Sequence, residues 1–355
     1  MGKLTQKEFR KIDTRVNHFS EIQSSLSWLL VKDIEDCVED LMDYEDPKEA
    51  QFIAHEIIYF SQIRMNLDEK ITEVAANLLI DHPQKDIIKK YLLSKPSTIL
   101  RRLYDKGLFE ISDIQNQHPD DIHFSDILHP NDDKSNVMFG DKSEKVTKEF
   151  IYNKYPLNTI ELAIKNDDVT NATSLLDDVG LDHTVEKSPF IPDDEPKSLL
   201  DHAALCSATN WFDLLIQKGC KCNGKTIEYA IMNGKTGIVK KMKEKNKDIH
   251  LRYYYGTIAK YFNILLMQKK MSHGFMVKEN IMTIQTFYEQ LDYPFHDNVV
   301  YDLIDDKEMN DVTMWVLCVG GMSQYLGNKY LFYAMECHND EIQKFIRRQG
   351  IKPFI

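Results

Sequence analysis

Three stretches decide how this chain is read: NTIELAIKNDDVTNATSLL (158–176), SLLDHAALCSATNWFDLLI (198–216) and KTIEYAIMNGKTGIVKKMK (225–243). They align without gaps. Each has an alanine at its sixth place, namely Ala163, Ala203 and Ala230, and an apolar residue twelve places later, Leu175, Leu215 and Met242. KYLFYAMECHNDEIQKFIR (329–347) fits the same frame through Ala334, Ile342 and Ile346. A weaker copy spans 298–316, with Leu303 in the alanine place and Val312 and Trp315 in register. The pattern describes a pair of short helices. The small residue of the first helix lets a neighbour approach, and the second helix carries apolar residues toward the units before and after it. Such a unit cannot bury its own faces, so it has to stack.

These residues resemble ankyrin repeats. SLLDHAALCSATNWFDLLIQKGCKCN follows the family frame through Leu200, Ala203, Ala204, Phe212, Leu214, Leu215 and Gly219, and the next stretch adds Gly234, Ile238 and Val239. The family's opening Thr-Pro is absent, replaced by Lys197-Ser198 or Lys225-Thr226. Repeats of about 33 residues are the family norm, whereas Ala163, Ala203 and Ala230 are unevenly spaced. One repeat has therefore gained residues and another has lost most of its finger turn. Together with the upstream KPSTILRRLYDKGLFEISDI, the chain looks like the divergent ankyrin proteins expanded in parasitic protists such as trichomonads, which place a helical region before the repeats. The resemblance implies a non-enzymatic scaffold that recognises another protein and needs no cofactor. Recognition would use the finger turns and the exposed face of each first helix. In this sequence those places are Asn166, Lys197, Leu205, Met232, Asn233 and Glu336.

Residues 1–111 are expected to form an N-terminal helical domain of five or six helices. Between Ile22 and Met42 apolar residues recur at gaps of three and four, one stripe on a helix. Further helices are expected after Asp46-Pro47, from Asp68 to Ile80, from Gln84 to Leu93, and from Pro96-Ser97 to a stop at Gly107. Residues 112–155 contain the acidic, proline-containing HPDDIHFSDILHPNDD and read as a loop or linker. The repeat array then occupies 156–355, five to seven units in all, with 250–297 holding one or two degenerate copies. Val185 to Lys197, with three prolines, reads as an extended insertion. The expected fold is all-α: a helical bundle followed by an α-solenoid.

Composition narrows the function. The 355 residues carry 44 Lys+Arg against 56 Asp+Glu, a formal net charge of -12. Duplex binding depends on phosphate neutralisation, so a chain this acidic is a poor nucleic-acid binder and a poor ligand for an anionic membrane. No apolar run approaches the length of a transmembrane helix, and MGKLTQKEFRK has no secretory character. Six scattered cysteines then read as reduced thiols, and a cytoplasmic location is expected.

One motif points to a different class. GCKCNGKT (219–226) matches the phosphate-loop pattern letter for letter. In such a site Gly219 and Gly224 would open the backbone to phosphates, Lys225 would reach the β- and γ-phosphates, and Thr226 would hold Mg²⁺. A nucleotide-binding protein is therefore the alternative reading. It requires a strand over 211–218, whereas the repeat frame requires a helix there. Cys220 and Cys222 lack a second pair at zinc spacing. His118, His123 and His129 crowd an acidic stretch, yet nothing in the sequence imposes a rigid ligand geometry on them, so no metal is expected.

Overall fold

The computed structural model describes residues 5–64, 67–130, 135–191, 197–246, 249–262, 266, 280–281, 284–285, 297–319 and 322–351. It is predominantly helical, with two short antiparallel strand pairs among the described residues. The chain divides into two compact units, Met1–Ser25 with Lys270–Ile355, and Leu26–Lys269. Neither cut coincides with the boundaries at 111 and 155 expected from composition.

In the larger unit, α2 (Ile34–Met42) starts at Asp33 and is separate from α1 (Gln6–Trp28). The single helix expected through this stretch is thus broken at Leu29–Asp33, where Asp33 adopts an extended N-cap conformation. A capping box opens α3 (Pro47–Ile63): the Asp46 carboxylate accepts from the Lys48 N–H at 2.9 Å, and Glu49 reaches back to the Asp46 N–H. Then come α4 (Asp68–Asp81), α5 (Lys85–Leu93) and α6 (Thr98–Asp105), close to the expected bounds. These helices lie in two rows. One row packs α2 on α4 and α4 on α6; the other packs α3 on α5 and α5 on α7 (Ile111–Gln117).

The stretch expected as a linker is structured where it is described. It holds α7, a short 3-10 turn, α8 (Ser125–Leu128), the hairpin β1 (Asn136–Phe139) and β2 (Lys142–Lys145), and α9 (Lys148–Asn153). The cause is Arg101 on α6, 2% exposed, which forks onto Asp126 and donates to the His123 carbonyl at 3.0 Å. A buried guanidinium needs such acceptors, and the acidic stretch supplies them. In the insertion, Thr184-Val185 (β3) pairs with Lys197-Ser198 (β4), and 192–196 lie outside the described residues.

The frame alanines sit in first helices α10 (Ile160–Lys165), α12 (Leu199–Cys206) and α14 (Gly224–Met232). Each precedes a second helix: α11 (Ala172–Val179), α13 (Thr209–Gln217) and α15 (Gly237–Lys245). First helices pack on one another in chain order, α10 on α12, α12 on α14, and α14 on α16 (Tyr255–Lys260); α13 packs on α15. Ala203 and Ala230 are 0% and 1% exposed, which is the close approach the small residue permits. A continuous core runs from Phe139 to Ile258 through Tyr155, Trp211, Phe212 and Ile231.

The units share one turn. Four residues after the frame alanine the backbone enters the left-handed region, at Asp167 (φ 54), Ser207 (φ 57), Gly234 (φ 87) and His338 (φ 52). At three of these turns the N–H of the following residue returns to the frame alanine's carbonyl at 2.9 Å: Asp168 to Ala163, Ala208 to Ala203 and Asn339 to Ala334. The same turn ends α6, where Gly107 (φ 75) follows Leu103 by four and Leu108 N–H bonds Leu103 at 3.1 Å. Residues 98–117 therefore share the turn of these units, with Leu103 in the alanine place.

The smaller unit contains α17 (Asp297–Asp305), α18 (Asn310–Val319), α19 (Gln324–Glu336) and α20 (Asp340–Arg348). First helix again packs on first, α17 on α19, and second on second, α18 on α20. Asn339 links the two pairs by donating to the Ile304 carbonyl at 2.7 Å and to Asn310 at 2.8 Å. Arg15 meets Asp311 at 2.8 Å in a buried ion pair, and Trp315 donates its indole N–H to Asp13. Most of 250–297, expected to hold further copies, lies outside the described residues after Phe262.

Candidate functional site

The six residues mapped to a recognition face do not share one environment. Asn166 and Glu336 are exposed, and Leu205 and Met232 are half-buried. Asn233 and Lys197 are buried, at 4% and 5% exposure, and face inward. Asn233 sits in the turn after α14 and donates its amide to the Leu205 carbonyl at 2.7 Å, joining two units. Lys197 lies in β4 with its ammonium over the Tyr229 ring. Buried polar groups are kept where they are by these partners, so neither side chain can meet a partner without breaking the stack.

The face beside Met232 is also occupied. Arg64, at the end of α3 and 1% exposed, donates to the carbonyls of Met232 and Tyr261. Its guanidinium lies so near the turn that a Cβ on Gly234 would meet Arg64 Cζ at 2.7 Å and Leu30 Cδ1 at 2.8 Å. Burial lowers the Arg64 pKa to about 10. Tyr59 adds a hydrogen bond to the Lys260 carbonyl at 3.0 Å, and the Phe60 and Phe262 rings stand 5.0 Å apart. Helix α3 thus covers the C-terminal ends of α14 and α16.

The phosphate-loop letters have a different structure from the one they require. Residues 209–217 form α13, a helix rather than a strand. Thr226 is fully buried and donates its hydroxyl to Asp201 at 2.6 Å, while Asp201 also accepts from Ser198 at 2.8 Å. Asn223 and Thr226 form a reciprocal cap at the start of α14. Lys225 is exposed, 3.3 Å from Glu228. Gly219 (φ 103) ends the turn after α13, and Gly224 is the first residue of α14. The Thr226 hydroxyl that would hold Mg²⁺ instead ties α12 to α14. The histidines of the acidic stretch are likewise engaged: His123 with Asp121 at 2.9 Å, His118 with the Leu93 carbonyl at 2.7 Å, and His129 with the Pro119 carbonyl at 2.9 Å. Among the described residues no group of three His, Cys, Asp or Glu side chains is placed to hold a metal.

A polar cleft of about 220 Å³ opens in the larger unit. Asp68 and Glu69 reach it from the start of α4, Arg102 from α6, and Tyr152 from α9. Lys165 and Asn166 enter from the end of α10, and Cys206 from the end of α12. Beside it, Lys154 pairs with Asp68 Oδ2 at 2.8 Å, both side chains nearly inaccessible. Arg102 stacks over the Tyr152 ring, 4.1 Å from its centre. The Tyr152 hydroxyl donates to Asp105; burial and this bond push its pKa up. Asp68 Oδ1 and Arg102 Nε are buried with no hydrogen-bond partner among the described residues. Burial and the neighbouring Lys154 charge lower the Lys165 pKa. Of the mapped residues only Asn166 belongs to this cleft. The others come from 68 to 206, and no spacing along the chain brings them together.

Neither protein-family models nor curated proteins match this chain. Among the described residues no helix is long and apolar enough to cross a membrane.

Proposed function

We propose that the chain is a non-enzymatic protein-recognition scaffold built from ankyrin-type units. The observation that carries this reading is the recurrence of one turn, left-handed four residues after Ala163, Ala203, Ala230 and Ala334, between helices that stack first on first. A stack of this kind holds a row of turns at fixed spacing, which suits an extended partner surface. Asn166 and Leu205 are the places of the expected face in the larger unit that α3 leaves to a partner. Glu336 is the corresponding place in the smaller unit, on a helix whose exposed Phe332 and Met335 offer apolar contact.

A photo-crosslinking side chain placed at Asn166, with Lys142 on the β1–β2 hairpin as control, tests this in cytosolic extract. The expected result is a discrete crosslinked protein from position 166 that excess unlabelled full-length chain competes away. Equal, uncompeted crosslinking from 142 and 166 would sink the scaffold reading.

A further inference from the structure

We infer that the cleft between α4, α6, α9 and α10 is an oxyanion site, and that its ligand is a hydrogen phosphate group. The inference shares Asn166 with the scaffold reading but does not rest on it, because its test reads Lys165 and inorganic phosphate rather than a protein partner. Three cations, Arg102, Lys154 and Lys165, come from or beside three different helices, and the cleft supplies them with too few anions. Lys154 has Asp68 Oδ2 at 2.8 Å. Among the described residues Arg102 has only Glu69 as an ion-pair partner, 3.9 Å away and with a side chain 86% exposed. Lys165 makes no hydrogen bond or ion pair among the described residues. An ammonium with three donors and a guanidinium with a free, buried Nε thus border one concavity. Such groups bind oxyanions through charge-assisted hydrogen bonds.

The second oxygen of Asp68 selects among oxyanions. Asp68 is 4% exposed and its Oδ1 is a buried acceptor without a donor among the described residues. A fully deprotonated anion would set its own oxygen against that carboxylate. A hydrogen phosphate would instead give its O–H to Asp68 Oδ1 while its remaining oxygens accept from Lys165 and Arg102. The Asn166 amide stands exposed at the rim to meet a further oxygen or whatever the phosphate is attached to. The Tyr152 ring under Arg102 fixes the plane of the guanidinium.

The test is a titration of the full chain with inorganic phosphate, followed by calorimetry and by phosphorus NMR, at neutral pH and constant ionic strength. Saturable binding is expected, weakened about tenfold or more in Lys165→Gln and largely restored in Lys165→Arg, which keeps the charge. Sulfate, which has no proton to offer at this pH, should bind about tenfold more weakly. Circular dichroism of each variant separates loss of binding from loss of fold. Absence of saturable binding, or equal affinity in wild type and Lys165→Gln, overturns the site. Equal affinity for sulfate and phosphate overturns the assignment to hydrogen phosphate. A phosphoserine peptide that displaces phosphate assigns the group to a modified side chain, and failure to displace assigns it to free phosphate; both results uphold the site.

Discussion

His202 lies in α12 with no exposed surface, and its Nε2 is 3.1 Å from the Glu161 carbonyl oxygen. A carbonyl only accepts, so Nε2 carries a proton, and complete burial disfavours a second one on Nδ1. Burial, helped by the nearby Lys197 charge, lowers its pKa to about 3. An unfolded histidine titrates near 6.5. The unfolded chain therefore takes up a proton that the folded chain refuses between those two values, and stability falls as pH drops through this window. Between pH 7.5 and 5 the His202 contribution to unfolding free energy should fall by about 2 kcal/mol. His82 shifts in the same direction by burial, so the comparison must be made against a variant. His202→Gln keeps an N–H donor and does not titrate. Urea unfolding at the two pH values should show a smaller loss for the variant by about that amount; equal losses would mean that His202 takes up its proton as readily in the fold as in the unfolded chain.

At the scale of the element, the turn after each first helix does more than reverse the chain. The N-cap of α13 is Ala208, whose methyl group cannot accept a hydrogen bond. The cap comes from the preceding unit: the Asp167 carboxylate, at its own left-handed turn, accepts from the Asn210 N–H at 2.9 Å and the Trp211 N–H at 3.0 Å. The Trp211 indole returns a bond to the Asp168 carbonyl at 2.7 Å. Losing an N-cap costs about 1 kcal/mol, and a carboxylate at a helix N-terminus adds a charge–dipole part. Asp167→Gly should therefore destabilise by about 1–2 kcal/mol even though glycine suits the φ of 54°. Ser207→Gly, at the matching turn, should stay within about 0.5 kcal/mol of wild type, because relief of the left-handed strain and added freedom of the unfolded chain oppose each other. Chemical denaturation reads both, and equal effects would mean that Asp167 acts only through its backbone. The turn also marks what the sequence could disclose. The alanines were legible because close packing demands a small residue at a fixed place. The left-handed residue four places on was not, since Asp, Ser and His hold it as well as Gly. The unit at 98–117 lacks the alanine, as the weaker copy at 298–316 does, and shows its kinship only in the turn at Gly107.

At the scale of the whole molecule, the chain is cut near residues 25 and 270 rather than across 112–155. Composition pointed to a linker there because acidic, proline-containing segments usually stay solvated. A buried Arg101, whose acceptors lie in that very segment, reverses the outcome. The polar cleft was equally invisible, since it needs α4 and α10 side by side in one body. The same logic makes Arg64 the clearest probe of cooperativity. It caps the C-terminal end of α3 in the expected N-terminal domain, yet its guanidinium satisfies carbonyls at Met232 and Tyr261 in the expected repeat array. Arg64→Met keeps apolar bulk and removes both bonds, which should cost about 2–3 kcal/mol. If Leu26–Lys269 unfolds as one body, native-state hydrogen exchange should accelerate in α3 and in α14 together, by roughly 30-fold or more for amides that open globally. Acceleration confined to α3 and α4 would show that residues 156–269 hold together without the N-terminal helices, and would restore a boundary inside 112–155.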